Sequence, residues 1–321
     1  MTELMKVDYS ISDTYYQCPR KYKLRYIDNL TSEYGSTALR FGSAFHAAME
    51  GMYSYVRDNG WDKSGKAVEM ALNFAKAEWE KESEGFTFTE DYRTFQNLTQ
   101  LYLSYLDHFY QDEVMLEIRH TERAFKLLMK PTSEDLKNYP WLEQFYFTGK
   151  IDQECCLNGS NWINEFKTTG WSLQKLRDEL TRSPQIIGYN YASKHVCDTP
   201  LEGSLVTIAY CLSRKSRVTE KYGKLSIDFG RYPQIYNDYD LKDWRKHFIS
   251  LVAQMQYSLL HDYYPPRFQS CFHFGRCTYL NLCEQSRPLK DCSYRGYKKG
   301  KVWDVTKDVA ESAVVEGEES V

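Results

Sequence analysis

Two carboxylates and an ammonium group gather in one short stretch, Asp152 on one side of an Asn158-Gly159 pair and Glu165 and Lys167 on the other. Carboxylates offer hard oxygen ligands to Mg²⁺ or Mn²⁺, and a lysine adds a compact positive charge, so together they suit metal-and-phosphate chemistry. A second set is sulfur-based. Cys271, Cys277 and Cys283 are spaced C-x5-C-x5-C in a polar, aromatic, turn-rich segment that suits a thiolate-held zinc ion or cluster. Three cysteines supply three ligands. A fourth must come from elsewhere, with Cys18 the distant candidate and Cys292 the local one.

Local elements must bring these groups together. Phe145, Phe147, Gly149 and Ile151 alternate with Tyr146, Thr148, Lys150 and Asp152, the period of a strand. Asn158-Gly159 is a hairpin signal, and Trp162-Ile163 opens the return strand. Alternation then sets Glu165 and Lys167 on one face with Phe166 on the other, and the hairpin lays Asp152 near the same face as the acid and the lysine. Upstream, Phe41 to Gly51 reads as a helix with His46 on it, and residues near 62–84 and 89–112 read as two amphipathic helices. Downstream, Ser183-Pro184 starts a helix that puts Gln185 and Tyr189 on one side, and Leu205 to Leu212 reads as a buried strand. Lys224 to Arg231 suggests an added strand or hairpin, and a long helix from Asp240 ends before Pro265-Pro266. Near the N-terminus, Ser12 is a helix-cap candidate, and Arg20, Lys21, Lys23 and Arg25 interleave with Tyr22 and Tyr26.

Composition narrows the classes. At 321 residues and 42% hydrophobic, the chain can bury one large core, or one core with an insertion. Net charge is −3, so a nucleic-acid surface must be a local basic patch, for which Arg20 to Arg25, with Lys298, Lys299 and Lys301, are the candidates. Aromatics at 16% suit base stacking and core packing alike. No apolar run approaches the ~20 residues of a membrane span, and a cytoplasmic protein is expected. Nine cysteines then mean thiols or metal ligands in place of disulfides. No Walker A run occurs, so no helicase motor is fused here.

Taken in order, these motifs resemble the GxxD…(D/E)xK core of the PD-(D/E)xK nucleases, more closely the RecB/AddB-type branch and the iron–sulfur exonuclease of CRISPR spacer acquisition. Gly149 to Asp152 and Glu165 to Lys167 carry the core, Gly42 to His46 the first motif, Gln185 to Tyr189 the Gln-x-x-x-Tyr motif, and Cys18-Pro-Arg-Lys the cysteine motif. The resemblance implies a restriction-endonuclease-like α/β fold with a mixed sheet flanked by helices. One nuclease domain over 1–305 is expected, with a helical insertion at 58–112, a cluster segment at 265–292 and an acidic disordered tail at 306–321. It further implies that His46, Asp152, Glu165 and the Phe166 carbonyl hold Mg²⁺ or Mn²⁺, with an imidazole ligand favouring Mn²⁺. Lys167 would act on the attacking water or the phosphate, and Gln185 and Tyr189 would position DNA. Cys18, Cys271, Cys277 and Cys283 would hold a structural 4Fe-4S cluster. Many relatives space the C-terminal set C-x2-C-x5-C, whereas position 274 here is Phe, so Cys271 must reach from further away. The expected activity is exonucleolytic DNA cleavage on single strands, with a helicase or recombination protein as partner. The alternatives are a non-catalytic DNA-binding subunit of a repair complex and a zinc-stabilised interaction protein.

Overall fold

The structure is a computed structural model that describes residues 4–61, 64–273, 275–284 and 296–300, together with 304, 306, 309 and 313–315. Described strands join one mixed sheet in the order β7-β6-β5-β4-β3-β9, with β1 paired to β4. Their ranges are Lys6–Val7 for β1, Glu117–Met129 for β3, Phe145–Leu157 for β4, Ser160–Thr169 for β5, Gly203–Leu212 for β6, Ser226–Gln234 for β7 and Ala313–Val315 for β9. Leu30–Ser32 (β2) and Tyr297–Lys299 (β8) pair separately. The chain divides into two compact units, one of residues 1–33, 124–150 and 238–321, the other of 34–123 and 151–237. No helix among the described residues is long and apolar enough to cross a membrane.

The second unit is built on the expected hairpin. Asn158 and Gly159 have φ of 53° and 82°, the two left-handed positions of a type I′ turn, and β4 and β5 run antiparallel on either side. Strand β5 then pairs parallel to β6, which the chain reaches through α7 (Leu173–Leu180) and α8 (Pro184–Val196), and β6 pairs antiparallel to β7. A parallel neighbour needs such a crossover, which here carries Gln185 and Tyr189. Helix α3 (Thr37–Asn59) starts at Ser36, whose hydroxyl accepts the Leu39 N–H. Phe41, Phe45, Ala48, Met49, Met52 and Val56 form its buried stripe, and the helix packs on α4 (Lys66–Ser83). Gly51 lets that packing close, because a Cβ there would stand 2.9 Å from the Met70 carbonyl oxygen. Helix α5 (Phe95–Met115) joins the same core through Leu98, Leu101, Tyr102 and Tyr105, and Phe166 of β5 is buried in it. Fully burying one such side chain contributes about 1.5–3 kcal/mol, so this core dominates the unit's stability.

The first unit carries α1 (Tyr9–Gln17), α2 (Pro19–Tyr22), α6 (Ser133–Asn138), α9 (Asp238–Leu260) and α10 (Leu280–Glu284). The cap of α1 is Asp8, whose carboxylate accepts the Ile11 N–H. Ser12 lies a turn inside the helix and donates to the Tyr9 carbonyl, so the helix begins a turn earlier than the expected serine cap. Along α9, Leu241, Trp244, Phe248 and Val252 recur at helical spacing, and Trp244 and Phe248 close over Phe147 at 5.2 and 4.9 Å. Within the segment expected to be a disordered tail, Ala313–Val315 pair in parallel with Leu127–Met129 of β3.

Candidate active site

Strand alternation sends Phe166 into the core under α3 and Glu165 and Lys167 toward α8. Pairing of β4 with β5 runs as far as Gln153 opposite Asn164, and the next step of that register sets Asp152 opposite Glu165. The Asp152 carboxylate is oriented from two sides. Its Oδ2 accepts the Phe166 main-chain N–H at 2.9 Å and lies 3.3 Å from Nδ1 of His46. His46 projects from α3 one turn after Gly42, which faces Thr168 of β5. The Phe166 ring meets the His46 ring edge-on at 6.4 Å and stacks on Tyr53 at 5.8 Å.

Glu165, Lys167 and Gln185 close a triangle. Lys167 Nζ donates to Glu165 Oε1 at 2.5 Å and to Gln185 Oε1 at 3.1 Å. Gln185 Nε2 in turn donates to Glu165 Oε1 at 3.0 Å and lies 3.4 Å from the Tyr189 hydroxyl. Glu165 is 1% exposed, and its second oxygen, Oε2, is buried with no hydrogen-bond partner among the described residues. A buried carboxylate oxygen left so is costly unless a cation or proton meets it. Burial, with the Asp152 charge, pushes the Glu165 carboxyl up to about 7. Burial works against the ionised form of Asp152 as well, yet His46 and Lys167 outweigh it and hold that carboxyl below its ordinary value. For His46 burial disfavours the imidazolium, and Asp152 overrides it and raises the pKa.

Sequence reasoning missed one residue here. Glu122 of β3 places a carboxylate oxygen such that it, a His46 nitrogen and an Asp152 oxygen all lie within 4.8 Å of one another. Oxygen donors with one imidazole fit Mg²⁺ or Mn²⁺. The residues that the sequence singled out on β4, β5, α3 and α8 are therefore gathered at one place. What this arrangement can do is hold a divalent cation beside a fixed ammonium group.

Cys18, Cys271, Cys277 and Cys283 belong to the first unit. Cys18 precedes α2, and its Sγ accepts the Arg267 main-chain N–H at 3.4 Å. Ser270 Oγ donates to the Gln17 carbonyl at 2.6 Å, and the Arg267 guanidinium donates to the Tyr16 carbonyl. The N-terminal segment is thus stitched to residues 267–270, directly before Cys271. Cys277 donates its N–H to the Cys271 carbonyl at 2.7 Å, and Cys283 lies on α10. Soft thiolate donors with an N–H bond to one sulfur fit a cluster or zinc. Phe274 and Cys292 lie outside the described residues. Cys155 and Cys211 are buried, which pushes each thiol up to about 12, as befits core residues.

The basic cluster has intramolecular partners that its sequence does not reveal. Arg20 donates to the Tyr264 carbonyl at 3.0 Å, and Lys21 to Gln17 at 3.0 Å. Lys23 is 3.5 Å from Asp28 and 3.4 Å from Asp262, and Arg25 lies over the Tyr26 ring. Lys299 donates to the Asp28 carbonyl at 2.6 Å, and Lys301 lies outside the described residues.

Comparison with known proteins agrees with this geometry. No curated protein matches the chain. The sequence profile of the PD-(D/E)XK nuclease superfamily matches residues 9–284, a span that takes in Cys18, His46, Glu122, Asp152, Glu165, Lys167, Gln185 and the three C-terminal cysteines. The chain belongs to the PD-(D/E)XK nuclease superfamily, and its mixed sheet flanked by helices is the restriction-endonuclease-like fold.

Proposed function

We propose that this superfamily member is a metal-dependent deoxyribonuclease of the RecB/AddB-type branch that shortens single-stranded DNA from its ends. The observation that carries the reading is the half-buried Glu165–Lys167–Gln185 triangle beside Asp152 and His46, with one buried Glu165 oxygen left without a hydrogen-bond partner among the described residues. Asp152, Glu165, the Phe166 carbonyl and His46 would hold Mg²⁺ or Mn²⁺. When bound, such an ion supplies Lewis acidity to the scissile phosphate and lowers the pKa of water.

The chain's own residues do the rest. The Phe166 N–H fixes the Asp152 carboxylate, and the pairing of β5 with β6 fixes the backbone that carries the Phe166 carbonyl. Lys167 donates to both Glu165 and Gln185, which hold its ammonium group in place, and presents a fixed positive charge to the phosphate or to the attacking water. Gln185 touches acid and lysine at once, so it positions them as well as facing DNA. Tyr189 backs Gln185.

The cysteines support a second, structural role. Cys18, Cys271, Cys277 and Cys283 would hold a 4Fe-4S cluster that ties the N-terminal segment to the C-terminal one, a closure already prepared by the Arg267 and Ser270 contacts. A helicase or recombination protein would supply the single strands.

End-labelled linear and circular single-stranded DNA, incubated with Mn²⁺ or Mg²⁺, test the activity. Linear substrate should shorten stepwise and circular substrate should survive, with chelator stopping the reaction. DNA bound but uncut by wild-type protein would instead support the non-catalytic subunit. Iron and sulfide analysis of the purified protein tests the cluster, since a colourless protein carrying zinc identifies the sulfur site as a zinc site.

A further inference from the structure

We infer that Glu122 is a metal-binding residue of this site, completing with His46 and Asp152 a three-donor position for Mn²⁺ or Mg²⁺. The inference rests on the nuclease reading above and extends it to a residue outside the sequence motifs that carry that reading. One carboxylate oxygen of Glu122, a His46 nitrogen and an Asp152 oxygen all lie within 4.8 Å of one another, which is the reach of a shared cation.

Backbone geometry independently explains how the glutamate comes to be there. Glu122 lies inside strand β3 with φ of 51°, a left-handed value rare for any residue but glycine, asparagine or aspartate. Its neighbour Thr121 already faces α3, with its hydroxyl 3.1 Å from that of Ser54. Ser54 and His46 are eight residues apart, on one side of α3. In a regular strand Glu122 would point away from that side. The left-handed turn of the backbone sends consecutive side chains to the same helix face, so a strained residue re-aims its carboxylate at His46.

Charge counting points the same way. Glu165 already shares one oxygen with Lys167 and Gln185, so Asp152 and Glu165 alone offer few oxygens to an ion that takes six ligands. With Glu122 the site has three carboxylates against the one ammonium of Lys167. That excess matches one divalent cation.

The test uses full-length protein and Mn²⁺ alone, followed by the electron paramagnetic resonance of free Mn²⁺, with Mg²⁺ as competitor. Glu122→Gln should bind both ions at least tenfold more weakly than wild type, since even a residue behind the ligands commonly accounts for 10–100-fold. His46→Ala should lose more Mn²⁺ than Mg²⁺ affinity, and Glu117→Gln, at the exposed start of β3, should bind as wild type. Glu122→Asn tolerates the left-handed backbone and should repeat the Glu122→Gln loss. Without metal both Glu122 variants should melt no lower than wild type; a lower melting point assigns Glu122 a structural role and overturns the inference. Wild-type affinity in both variants overturns it too, while leaving the nuclease reading intact. Wild-type protein that binds no Mn²⁺ sinks the reading beneath it.

Discussion

Glu113→Gln should be among the most damaging conservative substitutions in the protein, although the residue lies outside every nuclease motif. Glu113 is 0% exposed at the end of α5, and Arg231 on β7 has a side chain only 7% exposed. Glu113 Oε2 accepts the Tyr53 hydroxyl at 2.7 Å, while Oε1 accepts the Tyr105 hydroxyl at 2.7 Å and Arg231 Nη2 at 2.5 Å. Glutamine keeps the volume, so no cavity contributes. What is lost is the charge that compensates a buried guanidinium, and an amide nitrogen now meets donors where an acceptor stood. Removing one partner of a buried ion pair costs about 3–5 kcal/mol, against a total stability of about 5–15 kcal/mol for a typical domain. For a unit of this size the melting point should fall by about 6–20 °C. Urea unfolding followed by tryptophan fluorescence reads the loss, because the Trp61 indole donates to the Glu113 carbonyl at 2.9 Å. Replacing both partners by Leu and Met should recover much of it. A loss under about 1 kcal/mol would refute the reasoning and show that Arg231 re-pairs, Asp112 at 3.5 Å being the available carboxylate.

Three further outcomes follow from the geometry. Lys167→Ala and Glu165→Ala should each abolish cleavage while fluorescence anisotropy still reports DNA binding and circular dichroism still reports a folded protein at assay temperature, with melting lowered by the lost Glu165–Lys167 contact; wild-type cleavage in either would unseat the assignment. Cys18→Ser should lower iron content and melting temperature together, because a centre joining Cys18 to the C-terminal cysteines spans more than the 249 positions to Arg267, and closing so long a loop is worth on the order of 5 kcal/mol by analogy with crosslinks. Asp135→Asn should destabilise by about 1–2 kcal/mol near neutral pH, because its carboxylate caps α6 and accepts Arg245 at 2.9 Å. Burial raises that carboxyl, but the Thr132 N–H and Arg245 outweigh it and hold the pKa below its ordinary 3.8. The contribution is thus full above about pH 4 and disappears as pH falls through the lowered value, so acid titration of stability should close the gap between the two proteins.

Residues whose neighbours lie within one hairpin or one helical turn were legible in the sequence. Alternation and Asn158-Gly159 were enough to set Asp152 beside Glu165 and Lys167, because a two-residue turn leaves no freedom of register. A helical spacing of four likewise joined Gln185 to Tyr189. What stayed hidden depends on partners far along the chain. Glu113 and Arg231 are separated by 118 positions, and each alone reads as an ordinary surface charge. Arg20 to Arg25 read as a field for phosphates, yet a sequence shows the sign of a charge and not the carbonyls and carboxylates that already receive it. Ala313–Val315 vanished into an acidic composition, though its small and branched residues suit a strand once β3 is there to pair with. Glu122 is the sharpest case. Its stretch, Glu117 to Arg123, lacks a clean apolar alternation, so the strand rule assigns it no buried face. The left-handed backbone angle at Glu122 is encoded by no spacing rule. A site assembled from strand ends and helix faces will therefore show its motif residues to a reader of sequence, and keep back a carboxylate that a break in a strand brings beside them.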